Sequence, residues 1–579
     1  MNLRAARFRP RLIDALEGYN RAHFFTDLSA GLTVGIVALP LAMAFAIASG
    51  VKPEAGIFTA IIAGFIISAL GGSRVQIGGP AGAFIVVVYG IIERYGLANL
   101  LIATILAGLL LFAMGFFRIG NLIRYIPIAV VIGFTNGIAV LIALSQVRTF
   151  FGLDVDKLPS DFFSQLGVLW NVRATADWPS FLLGTLSLAL LVLWPRLARR
   201  SAADVEIRVG RFGRQFAARW RERVAGVPGP VIVLVIGTSL VALLDLKVET
   251  VGSRFGGIPQ GLPAFAMPLF SWELVKQLFA PTITIALLSA IESLLCARVS
   301  DSITGERHDP NQELMAQGIA NVVTPFFGGI PATGTMARTV TNIRAGATSP
   351  VSGIIHALVL LAIVLFAAPL ANNIPLAALA AILLYVAYNM GEWHEFPKLR
   401  QFPVPYRIIV VATFLLTIIL DVSVAVEVGV VLACVFFVYR IASLTQIEAL
   451  TTPDLPTPLP AGVAAYRIFG SLFFGAVSKL EKLADPQADT PRVMIFELHQ
   501  MINIDTSGLA ALEAVHRKLK RAHGRLILVG LNPQPASFLL RSRFIDRLGG
   551  ENLVADLAGA IALSEEFVAA PAAGESGHK

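Results

Sequence analysis

The sequence predicts a polytopic α-helical membrane protein with a small α/β domain at its C-terminus. Hydrophobic residues make up 56% of the 579 residues, charged residues only 15%, and the mean hydropathy is +0.73. Apolar runs long enough to cross a bilayer as helices recur up to about residue 443, and a polar, Pro-rich stretch follows them. Most of the chain therefore belongs in lipid.

Fourteen transmembrane segments are predicted from the lengths of the apolar runs and from the Gly, Pro and charged residues at their ends. The predicted spans are 28–49, 53–70, 80–92, 97–116, 122–145, 178–197, 229–246, 276–299, 312–328, 334–343, 349–370, 374–389, 405–421 and 422–441. Lys and Arg are concentrated in the N-terminal tail and in the loops after even-numbered segments, as in cytoplasmic loops. Both termini are therefore expected in the cytoplasm, and no cleaved signal peptide is expected.

Two Gly/Pro-rich landmarks recur at nearly the same separation and indicate an internal repeat. Gly-Gly-Pro-Ala-Gly-Ala at 78–83 opens the third segment and Gly-Gly-Ile-Pro-Ala-Thr-Gly-Thr at 328–335 opens the tenth, with their prolines 251 residues apart. Pro127 and Pro375, at the starts of the fifth and twelfth segments, are 248 residues apart. Seven crossings in each half invert the second half, so a 7+7 inverted repeat is expected.

The loop at 196–223 contains nine Arg, with Phe212, Phe216 and Trp220 at helical spacing. Two interpretations are open. The loop forms either a basic amphipathic helix on the cytoplasmic face or a solvated loop that simply carries the positive charge found on that side.

Several function classes are disfavoured by the residues present. Cys296 and Cys434 both lie in apolar runs, which argues against a disulfide framework or a thiolate metal site. No nucleophile–base pair, metal-ligand spacing or phosphate-binding loop occurs in the apolar portion. We therefore expect no enzymatic activity, no cofactor or metal, and no nucleic-acid partner.

The openings of the third and tenth segments mark the expected binding site. Irregular backbone in a bilayer is tolerated where it lines a cavity, and a half-helix N-terminus presents free N–H groups with about half a positive charge. Two such ends meeting at the midplane would bind an anion. The alternative is that the prolines only kink helices that face lipid.

Two charged residues stand out within apolar segments. A cation near the bilayer centre costs at least about 2.5 kcal/mol. This cost argues that Arg338 binds a carboxylate, sulfate or bicarbonate. The alternative is that its side chain reaches the membrane interface. Glu292 has no other charge within five residues. It is either a proton-coupling site or the ion-pair partner of Arg338. His356 is expected to be packed and hydrogen-bonded rather than a proton relay.

Three stretches resemble the sulfate permease (SulP) family, the bacterial relatives of solute carrier family 26. They are Ile-Glu-Ser-Leu-Leu-Cys-Ala at 291–297, Asn-Gln-Glu-Leu-Met-Ala-Gln-Gly at 311–318, and 328–346. The likeness covers nearly the whole chain and implies an inverted-repeat fold of core and gate domains, and a homodimer. It also implies an anion pocket and a coupling acid at Glu292. The implied pocket residues are Leu41, Phe45, Ala81, Thr335, Met336, Ala337 and Arg338.

The resemblance bears on the coupling ion. The sodium-coupled bicarbonate branch has Asp in the place of Glu292 and Thr in the place of Cys296, and sodium prefers hard oxygen ligands. The eighth and tenth segments are more similar to the branch that carries C4-dicarboxylates by proton symport. Proton coupling is therefore favoured, while sulfate, dicarboxylate and bicarbonate all suit a positive pocket.

The C-terminal region is expected to be a soluble domain. Thr-Thr-Pro-Asp-Leu-Pro-Thr-Pro at 451–458 predicts a linker, and βα alternation follows it. The strand candidates are 465–468, 493–497 and 526–529, and the helix candidates are 507–520 and 534–542.

Ile504-Asp505-Thr506-Ser507-Gly508 resembles the sulfate transporter and anti-sigma antagonist (STAS) domain. In soluble relatives the hydroxyl residue after the Asp is phosphorylated, which makes Thr506 a candidate regulatory phosphosite. The alternative is that Asp505, Thr506 or Ser507 serves only as a helix N-cap.

Five regions result: a cytoplasmic N-terminal segment at 1–27, a transmembrane transporter domain at 28–443, a linker at 444–462, a STAS domain at 463–568 and a disordered tail at 569–579.

The expected function is secondary active, proton-coupled transport of sulfate or a C4-dicarboxylate by an elevator-type mechanism. Sodium-coupled bicarbonate transport and an uncoupled exchanger or channel are the alternatives. The expected location is the inner (plasma) membrane. The expected partners are the anion, protons, the bilayer, a second copy of the chain and a cytoplasmic protein bound through the STAS domain.

Overall fold

The computed structural model describes residues 8–123, 127–155, 158–204, 228–261, 265–267, 272–420, 422–451, 454–484 and 490–569. Two compact units are present, Met1–Val430 and Val431–Lys579. The predicted tail beyond residue 569 and the basic loop from 205 to 223 lie outside the described residues.

The first unit is built from helices, and each of the fourteen predicted segments overlaps one of them. The helices up to the unit boundary are α1 (Arg11–Leu16), α2 (Arg21–Ala48), α3 (Pro53–Leu70), α4 (Phe84–Tyr95), α5 (Leu97–Phe116), α6 (Gly120–Ile123), α7 (Ile128–Phe151), α8 (Phe162–Asn171), α9 (Trp178–Asp204), α10 (Gly229–Leu244), α11 (Val251–Phe255), α12 (Trp272–Gln277), α13 (Phe279–Thr304), α14 (Pro310–Val323), α15 (Met336–Arg344), α16 (Val351–Ala367), α17 (Leu376–Met390), α18 (Glu395–Lys398), α19 (Val404–Ile419) and α20 (Val422–Leu444). Two short strands, β1 (Gly78–Gly79) and β2 (Thr333–Gly334), precede α4 and α15. Within the described residues, eight helices are long and apolar enough to cross a bilayer.

The helices of this unit pack in two groups. In the first group, α2 and α3 pack against α16, and α5 packs against α13 and α14. In the second group, α17 and α19 pack against α7, and α9 packs against α10 and α17. Each group combines helices from both halves of the chain, as expected when two inverted repeats interlock.

Glycines allow a tight helix crossing between α5 and α14. A Cβ atom on Gly108 would lie 2.7 Å from the carbonyl oxygen of Gly318, and one on Gly318 would lie 2.5 Å from the backbone nitrogen of Phe112. Small residues let two membrane helices approach until their backbones touch. The first helical group is therefore held together in part by backbone contact.

The second unit contains a six-stranded sheet covered by helices. Its strands are β3 (Gln446–Ala449), β4 (Val463–Leu472), β5 (Val493–Glu497), β6 (Met501–Ile504), β7 (Arg525–Val529) and β8 (Leu553–Val554), and its helices are α21 (Val477–Ala484), α22 (Thr506–Arg521), α23 (Pro533–Arg541), α24 (Phe544–Leu548) and α25 (Leu557–Ala569). The order is β3-β4-β5-β7-β8, with β6 also pairing with β4, and all pairs except β3–β4 are parallel.

Two hydrophobic clusters flank this sheet. Phe496 and Leu512 belong to one cluster, which includes the buried face of α22. Ile495 and Ile561 belong to the other, which includes α25. Successive strand residues such as Ile495 and Phe496 point to opposite faces, so a parallel strand must be apolar on both.

Candidate functional site

The irregular openings of the third and tenth predicted segments meet in the structure. β1 and β2 pair antiparallel, with Gly78 opposite Gly334 and Gly79 opposite Thr333. Thr335 extends the contact, because its backbone N–H and its hydroxyl both donate to the carbonyl of Ile77, at 2.8 and 2.9 Å. The two broken segments are therefore joined through their backbones.

A helix begins shortly after each strand of this pair. α4 starts at Phe84 and α15 at Met336, and neither N-terminus has a capping hydrogen bond from a side chain. The first N–H groups of a helix have no partner within the helix, and together they carry about half a positive charge. The strand pair therefore brings two electropositive helix ends into one region.

Buried amide and hydroxyl groups hold the strand pair in place. The side chain of Asn321, on α14, accepts from the N–H of Ala332 and donates to its carbonyl, both at 2.9 Å. Thr339, on α15, accepts from the N–H of Ile77 at 3.0 Å. A buried backbone group left without a partner costs about 1–3 kcal/mol, so these side chains are required for the irregular backbone to be stable.

Neighbouring side chains exclude any residue but glycine at one position of each strand. Gly79 has a φ of +153°, and a Cβ atom there would lie 2.3 Å from Nη1 of Arg338. A Cβ atom on Gly334 would lie 1.7 Å from Nε2 of Gln76, which donates to the hydroxyl of Ser293 at 2.9 Å. A larger residue at either place would displace a buried polar group.

Arg338 is buried beside this strand pair. It is only 1% exposed, and none of its three guanidinium nitrogens has a hydrogen-bond partner among the described residues. Nη1 lies against Gly79, so the guanidinium stays next to β1 instead of extending to a membrane interface. The site therefore holds a cationic side chain without a negative partner.

The other predicted residues at the start of α15 differ in accessibility. Thr335 is buried and bonded to Ile77, whereas Met336 is 40% exposed and Ala337 is also exposed. The first turn of α15 thus has an open side at Met336 and Ala337 and a buried side at Arg338.

The start of α4 faces residues from both helical groups. All three predicted residues in this region are buried: Leu41, Phe45 and Ala81. A Cβ atom on Gly82 would lie 3.6 Å from Phe45, 3.6 Å from Ile142 on α7 and 3.7 Å from Met390 on α17. Sequence reasoning missed Ile142 and Met390, because nothing in their apolar surroundings distinguishes them from other packing residues.

Glu292 lies half-buried on α13. Its carboxyl has no hydrogen bond or ion pair among the described residues, and the guanidinium of Arg338 has none either. The ion pair between Glu292 and Arg338, one of the two interpretations of the sequence, is therefore not formed.

A second carboxyl in this region was not singled out from the sequence. Glu313, on α14, is fully buried and accepts hydrogen bonds from the N–H of Gly72, the hydroxyl of Ser293 and the amide of Gln317, at 2.9, 3.2 and 3.0 Å. With three donors it acts as an anchor between α14, α13 and the segment before β1. The available signal was the run of polar residues at 311–317 within a predicted membrane segment.

His356, on α16, is buried close to β1. A Cβ atom on Gly64 would lie 3.5 Å from its Nδ1 and 3.2 Å from the carbonyl oxygen of Gly78. Neither ring nitrogen has a hydrogen-bond partner among the described residues. The expectation of a packed histidine is correct.

In the second unit, the Asp-Thr-Ser-Gly motif lies at the start of α22. Asp505 is the N-cap, since its Oδ1 accepts from the N–H of Gly508 at 2.8 Å. Its Oδ2 accepts from the N–H of Phe474 at 3.2 Å. Thr506 is the first residue of the helix and is exposed. The capping role predicted as an alternative is therefore present, and it belongs to Asp505.

A helical membrane unit built around two broken helices, with their irregular ends joined and a buried cation beside them, is the architecture of a multi-pass transporter. Comparison with known proteins agrees. Residues 24–413 match the sulfate permease family and residues 455–560 match the STAS domain. The chain belongs to the sulfate permease family and is a membrane anion transporter with a C-terminal STAS domain.

Individual relatives support the same assignment over nearly the full length. The chain is 39% identical over 545 residues to YvdB of Bacillus subtilis (strain 168), a provisionally assigned sulfate transporter, covering 94% of this chain and 98% of that protein. It is 28% identical over 540 residues to the bicarbonate transporter BicA of Synechocystis sp., covering 89% and 90%. The murine Solute Carrier 26 family member A9 anion transporter, in its inward-facing state, has the same fold, with a TM-score of 0.83 at 18% identity and coverage of 98% and 96%. The predicted fold class is confirmed.

Proposed function

We propose that this protein is a proton-coupled symporter of a small anion, sulfate or a C4-dicarboxylate, that works by an elevator-type movement. The observation that carries the proposal is the position of Arg338, a buried cation without a partner beside two uncapped helix N-termini. Burial of an uncompensated charge is unfavourable, so a bound anion would complete the site.

The charge of the site favours a dianion. Arg338 contributes one positive charge and each helix end contributes about half of one, which together match about two negative charges. The guanidinium also offers paired donors to the oxygens of a sulfate or a carboxylate. The relationship to YvdB, a provisionally assigned sulfate transporter, supports sulfate.

Sodium-coupled bicarbonate transport is the second candidate, because BicA is a relative. Cys296 argues against it. Its sulfur donates to the hydroxyl of Thr339 at 3.3 Å, close to the strand pair. A thiol is a poor ligand for sodium, which prefers hard oxygen ligands.

Glu292 would carry the coupled proton. It lies in the same helical group as Arg338 and has no partner that would fix its charge. An unpaired carboxyl within the membrane is costly when ionised, so its protonation can be coupled to the movement of the site. Anion and proton together would then leave the moving group nearly neutral.

The two helical groups would move relative to one another. β1, β2, Arg338 and Glu292 all belong to the first group, whereas Ile142 and Met390 belong to the second. Displacement of the first group along the second would carry the intact anion site across the membrane. An uncoupled exchanger or channel on the same scaffold remains the third candidate, and the experiment below separates it.

The remaining assignments follow from this function. The transporter domain at 28–443 would lie in the inner (plasma) membrane with both termini in the cytoplasm, and the protein would act as a homodimer. The linker at 444–462 would lead to the STAS domain at 463–568. Thr506, exposed at the start of α22, would serve as a regulatory phosphosite or as part of a surface for a cytoplasmic protein.

Uptake into proteoliposomes distinguishes the three candidates. Labelled sulfate, succinate and bicarbonate would each be tested with an imposed pH gradient, an imposed sodium gradient and no gradient. Accumulation of sulfate or succinate above equilibrium, driven by the pH gradient alone, is the expected result. Accumulation of bicarbonate driven by sodium would favour the second candidate. Equilibration without accumulation under every condition would favour an exchanger or channel.

Glu292→Gln tests the coupling group. This variant should lose pH-driven accumulation while exchange of anion across the membrane is largely retained. The matched control is Glu249→Gln, which alters an exposed carboxyl in the loop after α10. Normal pH-driven accumulation by Glu292→Gln would contradict the assignment of Glu292.

A further inference from the structure

A cavity of about 320 Å³ opens between the two helical groups, away from the strand pair. It lies at the C-terminal end of α4, the start of α13 and the turn between α19 and α20. Polar residues line it on α13 of the first group, on α19 of the second, and on α4 and α20; they include Thr284, Thr417, Arg94 and Glu427. This cavity gives water access to a region where the first group faces the second.

Glu427 is an unexpected residue in this cavity. It lies in α20, within the apolar stretch Val424–Leu444 that is long enough to cross a bilayer. Its side chain is exposed, and among the described residues its carboxyl forms no hydrogen bond or ion pair. A carboxyl retained within a membrane helix is costly unless it has a function, and neither anion binding nor the fold uses this one.

A narrower cleft continues from Glu427 along α13. It holds about 20 Å³, which is room for about one water molecule. The residues that line it are Ile283, Thr284, Leu287, Leu288, Ile291, Val426 and Glu427. Ile291 directly precedes Glu292, so the cleft extends from one unpaired carboxyl to the residue next to the other.

The other titratable groups that line the larger cavity, among the described residues, do not line the narrow cleft along α13. They are Arg94 and Tyr95 on α4 and Asp161 before α8, and the lining residues of α13 and α19 carry no charge. Hydrogen bonds from the hydroxyl and N–H of Ser164 hold the pKa of Asp161 below its usual range, so it stays ionised at neutral pH. Glu427 is the titratable group that lines both the larger cavity and the cleft along α13.

We propose that Glu427 is a positioning residue for proton coupling: it passes protons from the cavity to Glu292 and promotes protonation of Glu292 when the two approach. The step transfers a proton from a hydronium ion in the cavity to the carboxylate of Glu427, which leaves water, and from Glu427 to the carboxylate of Glu292, so only O–H bonds form and break. This inference rests on the proposed proton coupling.

The geometry of α13 supports this role. An α-helix rises about 1.5 Å per residue, so Glu292 lies about 6 Å from the level of Leu288 and about 12 Å from that of Thr284. Both of these residues line the cleft beside Glu427. A displacement of α13 along α20 by about one to two helical turns would bring the two carboxyls level. Two carboxylates held close together cannot both remain ionised without cost, so one of them would take up a proton.

The test uses the full-length protein in proteoliposomes, with pH-driven uptake of labelled sulfate and succinate measured over a series of external pH values. In Glu427→Gln, the proton concentration that gives half-maximal uptake should increase about tenfold, within the usual range for coupling between two protein sites. Glu427→Asp keeps the charge and should show a smaller shift in the same direction. Glu249→Gln should behave as the wild type. Rates are normalised to anion exchange without a gradient, which corrects for poorly folded protein.

The outcomes separate this inference from the function on which it rests. If the wild type shows no pH-driven accumulation, the proposed proton coupling fails and this inference fails with it. If the wild type accumulates anion and Glu292→Gln does not, but Glu427→Gln keeps the wild-type pH dependence, this inference alone is overturned. A shift in Glu427→Gln that Glu427→Asp partly restores would support it.

Discussion

Two helices of this protein begin directly after short strands, and their N-termini are completed differently. In the second unit, Asp505 caps α22, and its carboxylate accepts from the N–H of Gly508. In the first unit, α15 has no side-chain cap and carries Arg338 in its first turn. A negative charge stabilises a helix N-terminus and a positive charge does not. The start of α22 is complete without a ligand, whereas the start of α15 lacks the negative charge that would complete it.

The largest effect is expected from replacing Arg338, the buried cation in the first turn of α15. Arg338→Met should lower anion uptake about 100-fold or more, corresponding to about 3 kcal/mol, because the anion loses its charged partner. The same variant should raise the thermal unfolding temperature of the ligand-free protein, because an unpaired buried charge is removed. Uptake into proteoliposomes and thermal unfolding in detergent measure the two effects.

Arg344→Met is the matched control for this variant. Arg344 lies at the exposed end of the same helix, so uptake should change little. If Arg338→Met and Arg344→Met lower uptake equally, the contrast drawn between α15 and α22 does not depend on the buried guanidinium.

The next largest effect is expected at Asn321, whose side chain holds the backbone of Ala332 directly before β2. Asn321→Leu leaves the N–H of Ala332 without a partner, whereas the carbonyl of Ala332 keeps the hydroxyl of Ser289 as a donor. A buried N–H without a partner costs about 1–3 kcal/mol, so the variant should be less stable in chemical unfolding by about that amount and should bind the anion more weakly. Asn389→Leu, at an exposed position of α17, is the control and should be nearly neutral. Equal stabilities would show that the strand pair does not depend on Asn321.

Gly79→Ala tests the fit between β1 and Arg338. The new Cβ atom would lie 2.3 Å from Nη1 in a conformation that only glycine readily adopts, at a cost of about 1–3 kcal/mol. Uptake should fall with stability, because the guanidinium must move. Gly167→Ala, within α8 and with nothing within 4 Å, should instead be neutral or slightly stabilising. A Gly79→Ala protein with normal stability and uptake would contradict the contact.

The smallest effect is expected at the capped helix, α22. Asp505→Ala removes the cap of α22 and should destabilise the second unit by about 1 kcal/mol. Thr506→Ala, at an exposed position with no capping bond, should cost much less. Hydrogen exchange of the amides in the first turn of α22 would report both. Equal protection in the two variants would mean that Asp505 is not the stabilising cap.

Helix ends were predicted accurately from sequence where a Pro or Gly stands beside them. The predicted spans 53–70 and 97–116 coincide with α3 and α5, because Pro53, Gly71 and Gly96 mark their ends. The third predicted segment starts at Pro80, but α4 starts only at Phe84, because the residues after β1 form a turn before the helix. A proline in a membrane segment marks irregular backbone, and its sequence alone does not tell how far that backbone extends.

Only some residues of the candidate site could be predicted from the sequence. Paired Gly/Pro landmarks and one arginine in an apolar segment point to the strand pair and to Arg338, because each is expensive in lipid. Ile142 and Met390 carry no such signal, since an apolar residue in a membrane helix costs nothing and its partner is decided by packing between distant helices. Glu427 did carry the signal of a charge in an apolar run. It was overlooked because only the cavity shows what it faces.

The hydrogen-bonded pairing of β1 with β2 has a consequence for how the substrate can be released. Gly78 and Gly334 come from opposite halves of the chain, yet their backbones form one small sheet. Parting them in the bilayer would expose backbone groups to hydrocarbon, where no water can replace the lost partners. Under the proposed function, neither half-helix would swing away alone to let the anion leave. Exit to either side of the membrane would instead be opened by the surrounding helices, and the residues proposed to hold the anion would move together as a single body.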